Sequence, residues 1–140
     1  MIDLWQFFAE RQIPRFLLVQ SFESSESDFD DIVLIANRVL EKMATPYLII
    51  HSEVGEAAGL VDLKNMKVRS YLSGGISEDD CDESLRDLVT EFRDEYIDEF
   101  VNLGESAFSS GLYPIALPIG SNLPFGIDEL NQIIDELPKR

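Results

Sequence analysis

From Ile76 to Leu103 the chain runs without a single proline or glycine, between the break at Ser73-Gly74-Gly75 and Gly104. Few folds accommodate so long an unbroken segment, and its periodicity selects one element. With about 100° of rotation per residue, Cys81, Leu85, Leu88, Val89, Phe92, Tyr96, Phe100 and Leu103 fall on one side. The spacing predicts a long helix over Glu78 to Leu103, with Ser77 as N-cap and Gly104 as the stop. The opposite side holds Asp80, Glu83, Asp87, Glu91, Asp94 and Asp98, and no basic residue interrupts that strip. Arg86 and Arg93 lie to one side of it. Residues 78 to 99 hold 11 acids and two arginines, and so carry −9 of the formal net charge of −16.

The plain reading of such a strip is a solvated helix face. Solvated faces usually mix signs, because like charges one turn apart cost about 0.2–0.5 kcal/mol per pair. Five consecutive like pairs therefore cost about 1–2.5 kcal/mol. The helix dipole favours Glu78, Asp79, Asp80 and Asp82 in the first turn, but it does not reach Glu91, Asp94 or Asp98. Six carboxylates over about 27 Å of helix coarsely imitate a strand of DNA, with its phosphate every 3.4 Å or so. Such a strip is suited to the basic cleft of a nucleic-acid-binding protein, and opposite fields would speed the encounter. Small acidic inhibitors and toxin-immunity proteins, as a class, work by this logic.

The rest of the chain alternates helix and strand signals. Ile2 to Arg11 reads as a short helix with Leu4, Phe7 and Phe8 on one side, stopped by Pro14. Trp5, Phe7 and Phe8 are its expected core cover. Arg15 to Phe22 reads as a buried strand. Ser27 caps an expected helix to about Ala44, at capping-box spacing from Asp30, and Pro46 ends it. Tyr47 to His51 is a second strand, and strand–helix–strand implies a parallel crossover. Leu60 to Leu72 reads as a hairpin carrying Lys64, Lys67 and Arg69, a basic patch that would face acids of this chain or of a second copy. Tyr113 to Ile119 is strand-like, but Pro114 and Pro118 demote it to an edge or cover. Ile127 to Leu137 is a last helix, with Ile127, Leu130, Ile133, Ile134 and Leu137 on one face. The sum is an α/β protein, or α+β, with a mixed sheet of four to five strands covered by helices. Its 140 residues suit one domain, 1–140.

Pro46, a strand, a hairpin and an amphipathic helix, in that order, resemble the C-terminal half of thioredoxin-like folds over less than half of the chain. The single cysteine leaves no CxxC, so no redox activity is carried over.

Composition excludes several functions. The acidic excess disfavours direct binding to nucleic acid and to anionic membranes. One cysteine excludes an internal disulfide, and one histidine excludes a two-histidine metal site within the chain. No apolar run reaches the ~20 residues that span a bilayer. The N-terminus has neither a basic leader nor a small-residue cleavage site, so a cytoplasmic location is expected. No GxSxG, Walker or dinucleotide fingerprint is present, and neither a cofactor nor a metal is expected. Cys81, among acids and on the apolar face, reads as packing rather than as a nucleophile.

Three functions compete. The first is a non-enzymatic protein-binding domain, of inhibitor or immunity type, whose six-acid strip meets a basic protein partner. The second is a small enzyme or ligand-binding domain with its site at the strand end near His51 and Glu53, where a His–carboxylate pair could do acid–base work. The third is a homodimeric regulatory or structural subunit joined through Trp5 or Ile97.

Overall fold

The computed structural model describes residues 2–20, 29–51, 57–70, 77–120 and 126–138. Helix α1 spans Ile2–Glu10, strand β1 Phe16–Gln20, helix α2 Phe29–Val39 and strand β2 Tyr47–His51. Strands β3 (Ala57–Asp62), β4 (Lys67–Ser70) and β5 (Ser77–Asp80) follow, then helix α3 (Glu83–Glu99), strand β6 (Ile115–Ile119) and helix α4 (Ile127–Glu136). Parallel and antiparallel pairing coexist in an α+β domain, within the broad class expected.

Strand β6 organises the fold. The expectation of an edge or cover is overturned, because every residue of β6 is buried and both its edges are engaged. One edge pairs in parallel with β1, Phe16 opposite Ile115, and the other meets Ala44 in a parallel bridge. The prolines are accommodated by parity. Ile115 N donates to Arg15 O on the β1 side, and Ala116 N donates to Ala44 O on the opposite side. Backbone groups alternate sides along a strand, so Pro114 and Pro118 both turn their missing N–H toward the Ala44 edge. There, among the described residues, strand pairing is limited to that one bridge. The expected mixed sheet is accordingly interrupted, giving the parallel pair β1-β6 and the antiparallel sheet β2-β3-β4-β5. The segments on either side of α2 do run parallel, with β6 inserted between them.

Strand β1 is the outer member of its pair, so only Val19 is fully buried and Leu18 faces outward. Helix α2 ends at Val39, well before Pro46, and the Asn37 side chain accepts the Met43 amide at 2.9 Å beyond its end. The Ser27 cap and the Ser73-Gly74-Gly75 loop lie outside the described residues. In α1, Trp5 and Phe8 are half-buried, whereas Leu4 and Phe7 are exposed rather than covering the core. Trp5 Nε1 donates to Glu41 at 3.1 Å, which turns the helix onto that edge. Buried Arg15 secures the same corner. Its Nε donates to Glu41 at 2.7 Å, and its Nη1 reaches Ile13 O at 2.9 Å and Gly111 O at 3.1 Å.

The expected hairpin is β3–β4. At its turn Asp62 Oδ1 accepts the Lys64 amide at 2.9 Å. The start of the long helix is corrected: Ser77–Asp80 is not its first turn but a strand, antiparallel to β4. Four residues of poor strand propensity form it because the register sets Lys67 opposite Asp80 and Arg69 opposite Glu78, and both pairs form ion pairs. Lys67 and Arg69, two of the three basic residues of the hairpin, thus face acids of the same chain. Asp82, not Ser77, is the N-cap of α3, its side chain accepting the Leu85 amide at 2.7 Å.

Alternation along β3 places one helix on each face of the antiparallel sheet. Val61, opposite Val68, packs with Leu63, Cys81 and Val89 under α3. Leu60, on the other face, lies opposite Arg69, whose Nη1 grips the fully buried Glu129 of α4 at 3.0 Å. The other Glu129 oxygen accepts the Gly126 amide at 2.9 Å. Gly126 has φ of 91°, and a Cβ there would stand 2.0 Å from Pro118 O, so the turn into α4 requires glycine. Leu130, Ile133 and Leu137 of α4 pack against the core, whereas Ile127 and Ile134 stay exposed.

The Arg69–Glu129 pair yields a prediction. Arg69→Met removes the cation that neutralises the fully buried Glu129 and should lower the unfolding free energy by about 3–5 kcal/mol. Arg69→Met with Glu129→Leu should cost less than the two single changes summed, as measured by urea unfolding.

Candidate functional site: the outer face of the acidic helix

Helix α3 lies on the sheet through Leu85, Val89 and Tyr96, and Phe100 follows at its C-cap. The opposite face presents Glu83, Asp87, Glu91, Asp94 and Asp98, and all five are exposed. Asp80, expected at the head of this strip, sits in β5 and pairs with Lys67. The helical column therefore holds five carboxylates over about 22 Å.

The distribution of cations sets this face apart. Glu78 and Asp80 are held by Arg69 and Lys67. Glu95 and Glu99, on one flank of α3, are held by Lys42. Asp82 is the helix cap. Among the described residues, none of the five column acids has a basic group within salt-bridge distance. Arg93 turns away from the column toward the hairpin, its Nη2 donating to Lys64 O at 3.4 Å. Salt bridging raises the pKa of Lys42, chiefly through its hydrogen bond to Glu99. The hydrogen bond from Lys67 lowers the pKa of Asp80 and raises that of Lys67 itself.

The apolar side of α3 is narrower than its periodicity suggests. Leu88 is 72% exposed, Phe92 51% and Leu103 54%, so the expectation that they face the core is corrected. The sheet covers an arc centred on Val89 and Tyr96. Leu88 and Phe92, one turn apart, lie at the edge of that arc, on the flank that also carries Glu95 and Glu99. Cys81 is buried as expected, in the β5–α3 connection, and burial pushes its thiol pKa up.

His51 ends β2, after a register shift between Ile50 and His51. Its side chain and Glu53 lie outside the described residues. Trp5 and Ile97, the residues of the dimer reading, are both half-buried.

A second concave site has no signature in the sequence. A cavity of about 520 Å³ opens between the start of β2, the end of β3, the C-terminal turns of α3 and α4, and the 104–109 loop. Tyr47, Tyr96, Tyr113 and Asp62 line it, with Lys64 from the hairpin turn. Tyr47 and Asp62 are cross-strand partners. Burial raises the pKa of Asp62 and of all three phenols. These residues come from four separate parts of the chain, and only pairing and packing bring them together.

No protein-family model and no curated protein matches this sequence. Its structure is similar to the crystal structure of ttk003000868 from Thermus thermophilus, with a TM-score of 0.80 and 19% sequence identity. The superposition covers 98% of this chain and 24% of that one, so the chain spans about a quarter of the longer protein. At this identity the likeness shows the fold alone. No helix among the described residues is long and apolar enough to cross a membrane.

The β4–β5 ladder gives a direct electrostatic test. Lys67→Met should return the Asp80 carboxyl upward toward its ordinary value of 3.8, as followed by carboxyl NMR titration. Because the folded-state value is lowered, the ladder's contribution is present above pH ~3.8 and lost as pH falls through the lowered folded value. Unchanged titration of Asp80 would show that the pair does not form in solution.

Proposed function

We propose that this chain is a non-enzymatic, acidic protein-binding domain of the inhibitor or immunity type. In this reading the outer face of α3 occupies the basic cleft of a protein that acts on nucleic acid. The carrying observation is the column Glu83, Asp87, Glu91, Asp94 and Asp98, exposed and without a basic partner among the described residues. Its four successive like pairs cost the isolated helix about 1–2 kcal/mol, a cost that a cationic surface would reverse. Exposed Leu88 and Phe92, on one flank of the same helix, supply what charge alone lacks. Apolar contacts at the centre of an interface hold a complex together, whereas rim charges mainly set the association rate.

The experiment is capture of partners at low salt by the wild type and by Asp87→Asn/Glu91→Gln/Asp94→Asn. The amides keep side-chain volume and relieve repulsion, so the variant's thermal stability should be unchanged or slightly higher. A partner bound through the column should be lost from the variant. Its association rate should fall steeply with added salt, and the wild-type chain should displace that partner from DNA or RNA. Undiminished capture by the variant, or a partner with no nucleic-acid activity to compete, would refute this function.

A further inference from the structure

The geometry points to a binding site for a small organic cation, a protonated amine or guanidinium on a compact body, in the cavity between Tyr47, Tyr96, Tyr113 and Asp62. This site is separate from the outer face of α3 and does not rest on the function proposed for it.

The volume, about 520 Å³, lies within the ~300–1,000 Å³ of typical small-molecule pockets. Its electrostatics select the sign of the ligand. Asp62, Glu105 and Glu136 line the cavity against a single Lys64. The C-terminal turns of α3 and α4 also border it, and neither helix has a basic residue in its last turn. Helix C-termini favour cations, so the backbone adds to the carboxylates. An anion would meet repulsion from both.

The polar groups inside are set to receive a donor. Asp62 uses Oδ1 to accept the Lys64 and Asn65 amides. Among the described residues its Oδ2 accepts no hydrogen bond, and no basic group lies within salt-bridge distance. Burial is the largest influence on this carboxyl, and an incoming ammonium would offset it. The hydroxyls of Tyr47, Tyr96 and Tyr113 likewise have no hydrogen-bond partner among the described residues. A neutral apolar occupant would leave these groups unsatisfied, which is costly. Tyrosine rings in the wall add cation–π attraction. The Tyr113 ring is itself held by Phe100 at 4.9 Å and Phe108 at 5.8 Å between centroids, so the wall is preorganised. Among the described residues no group of three or more His, Cys, Asp or Glu could hold a metal ion, which favours an organic cation.

The test is titration of the full chain with tyramine, agmatine and choline, and with the matched neutral and anionic probes 4-ethylphenol and 4-hydroxyphenylacetate, read by calorimetry and amide NMR shifts. At least one amine should bind saturably. Tyramine, if it is that amine, should bind on the order of tenfold more tightly than 4-ethylphenol, and 4-hydroxyphenylacetate should not bind. The shifts should centre on Asp62, Lys64, Tyr96 and Ser106. Asp62→Asn, which keeps an oxygen for the turn amides, should weaken amine binding on the order of tenfold. Glu136→Gln, at the exposed rim, should weaken it less and serves if Asp62→Asn does not fold. The proposal is overturned if no amine binds, if the neutral probe binds equally well, if shifts centre on Asp87 to Asp98, or if the folded variants bind as the wild type does.

Discussion

The fold depends on the hydrogen-bond parity of β6. With Pro118 inside it and Pro114 just before it, the chain here has lost two donors from the same edge and none from the other. The intact edge pairs fully with β1, and the depleted edge retains one bridge, at Ala44. This allows β6 to be buried on both faces. Ala116 sits under α2 with Val33, Ala36 and Met43, while Ile115 and Leu117 face Leu60, Phe100 and Phe108 on the other side. The interruption also frees the β2–β5 sheet to form a unit of its own, with α3 on one face and α4 on the other. A continuous ladder would have tied its orientation to that of β6.

The sequence is most legible where local chemistry decides, and least where a partner strand does. Tyr47 to His51 is a strand in both reading and structure because an apolar run follows Pro46. Gly104, with φ of 110°, ends the helical run, but α3 itself stops at Glu99 with Phe100 as its C-cap, and Gly104 closes the 3-10 turn Val101–Leu103 that follows rather than a helix reaching Leu103. Ser77–Asp80 was invisible as a strand, because nothing in Ser-Glu-Asp-Asp favours one. Lys67 and Arg69, which lie upstream of the acids they meet, make it a strand, and register cannot be read from either segment alone. Pro118 misled for the same reason: a proline is excluded from a central strand only if its amide would face a partner. Leu88 and Phe92 show a third kind of failure. Periodicity gives the direction of an apolar arc, but only the width of the covering sheet decides how much of that arc is buried. The acidic column was legible because it needs no partner to define it. The tyrosine-lined cavity was not, because its residues share no spacing.

The buried charges at Arg15–Glu41 and Arg69–Glu129 leave no signal in the sequence either. Neither contributes to hydrophobic periodicity, and Glu129 falls on the inner side of a helix whose apolar residues are partly exposed. Yet each pair joins segments far apart in the chain: α1 to the end of α2, and β4 to α4. Buried pairs of this kind add little net stability over apolar residues of the same volume. Their geometric demand is strict, because a slip would strand a charge in the core.

The chain has 11 basic residues for 27 acids, so the acids compete for cations. Those whose partners are seen lie largely at junctions between elements: Arg15 at the α1–α2 corner, Lys42 between α2 and α3, Lys67 and Arg69 across β4–β5, and Arg69 again toward α4. An exposed pair along one helix is worth well under 1 kcal/mol. A cation at a junction satisfies charges that packing would otherwise leave stranded, and that difference places cations where elements meet. Among the described residues the outer face of α3 is exposed and enters no ion pair, so no junction there draws a cation to its acids. The same physics that assembles the fold therefore leaves a concentration of negative charge on the exposed face of α3, where no described element packs a cation against it.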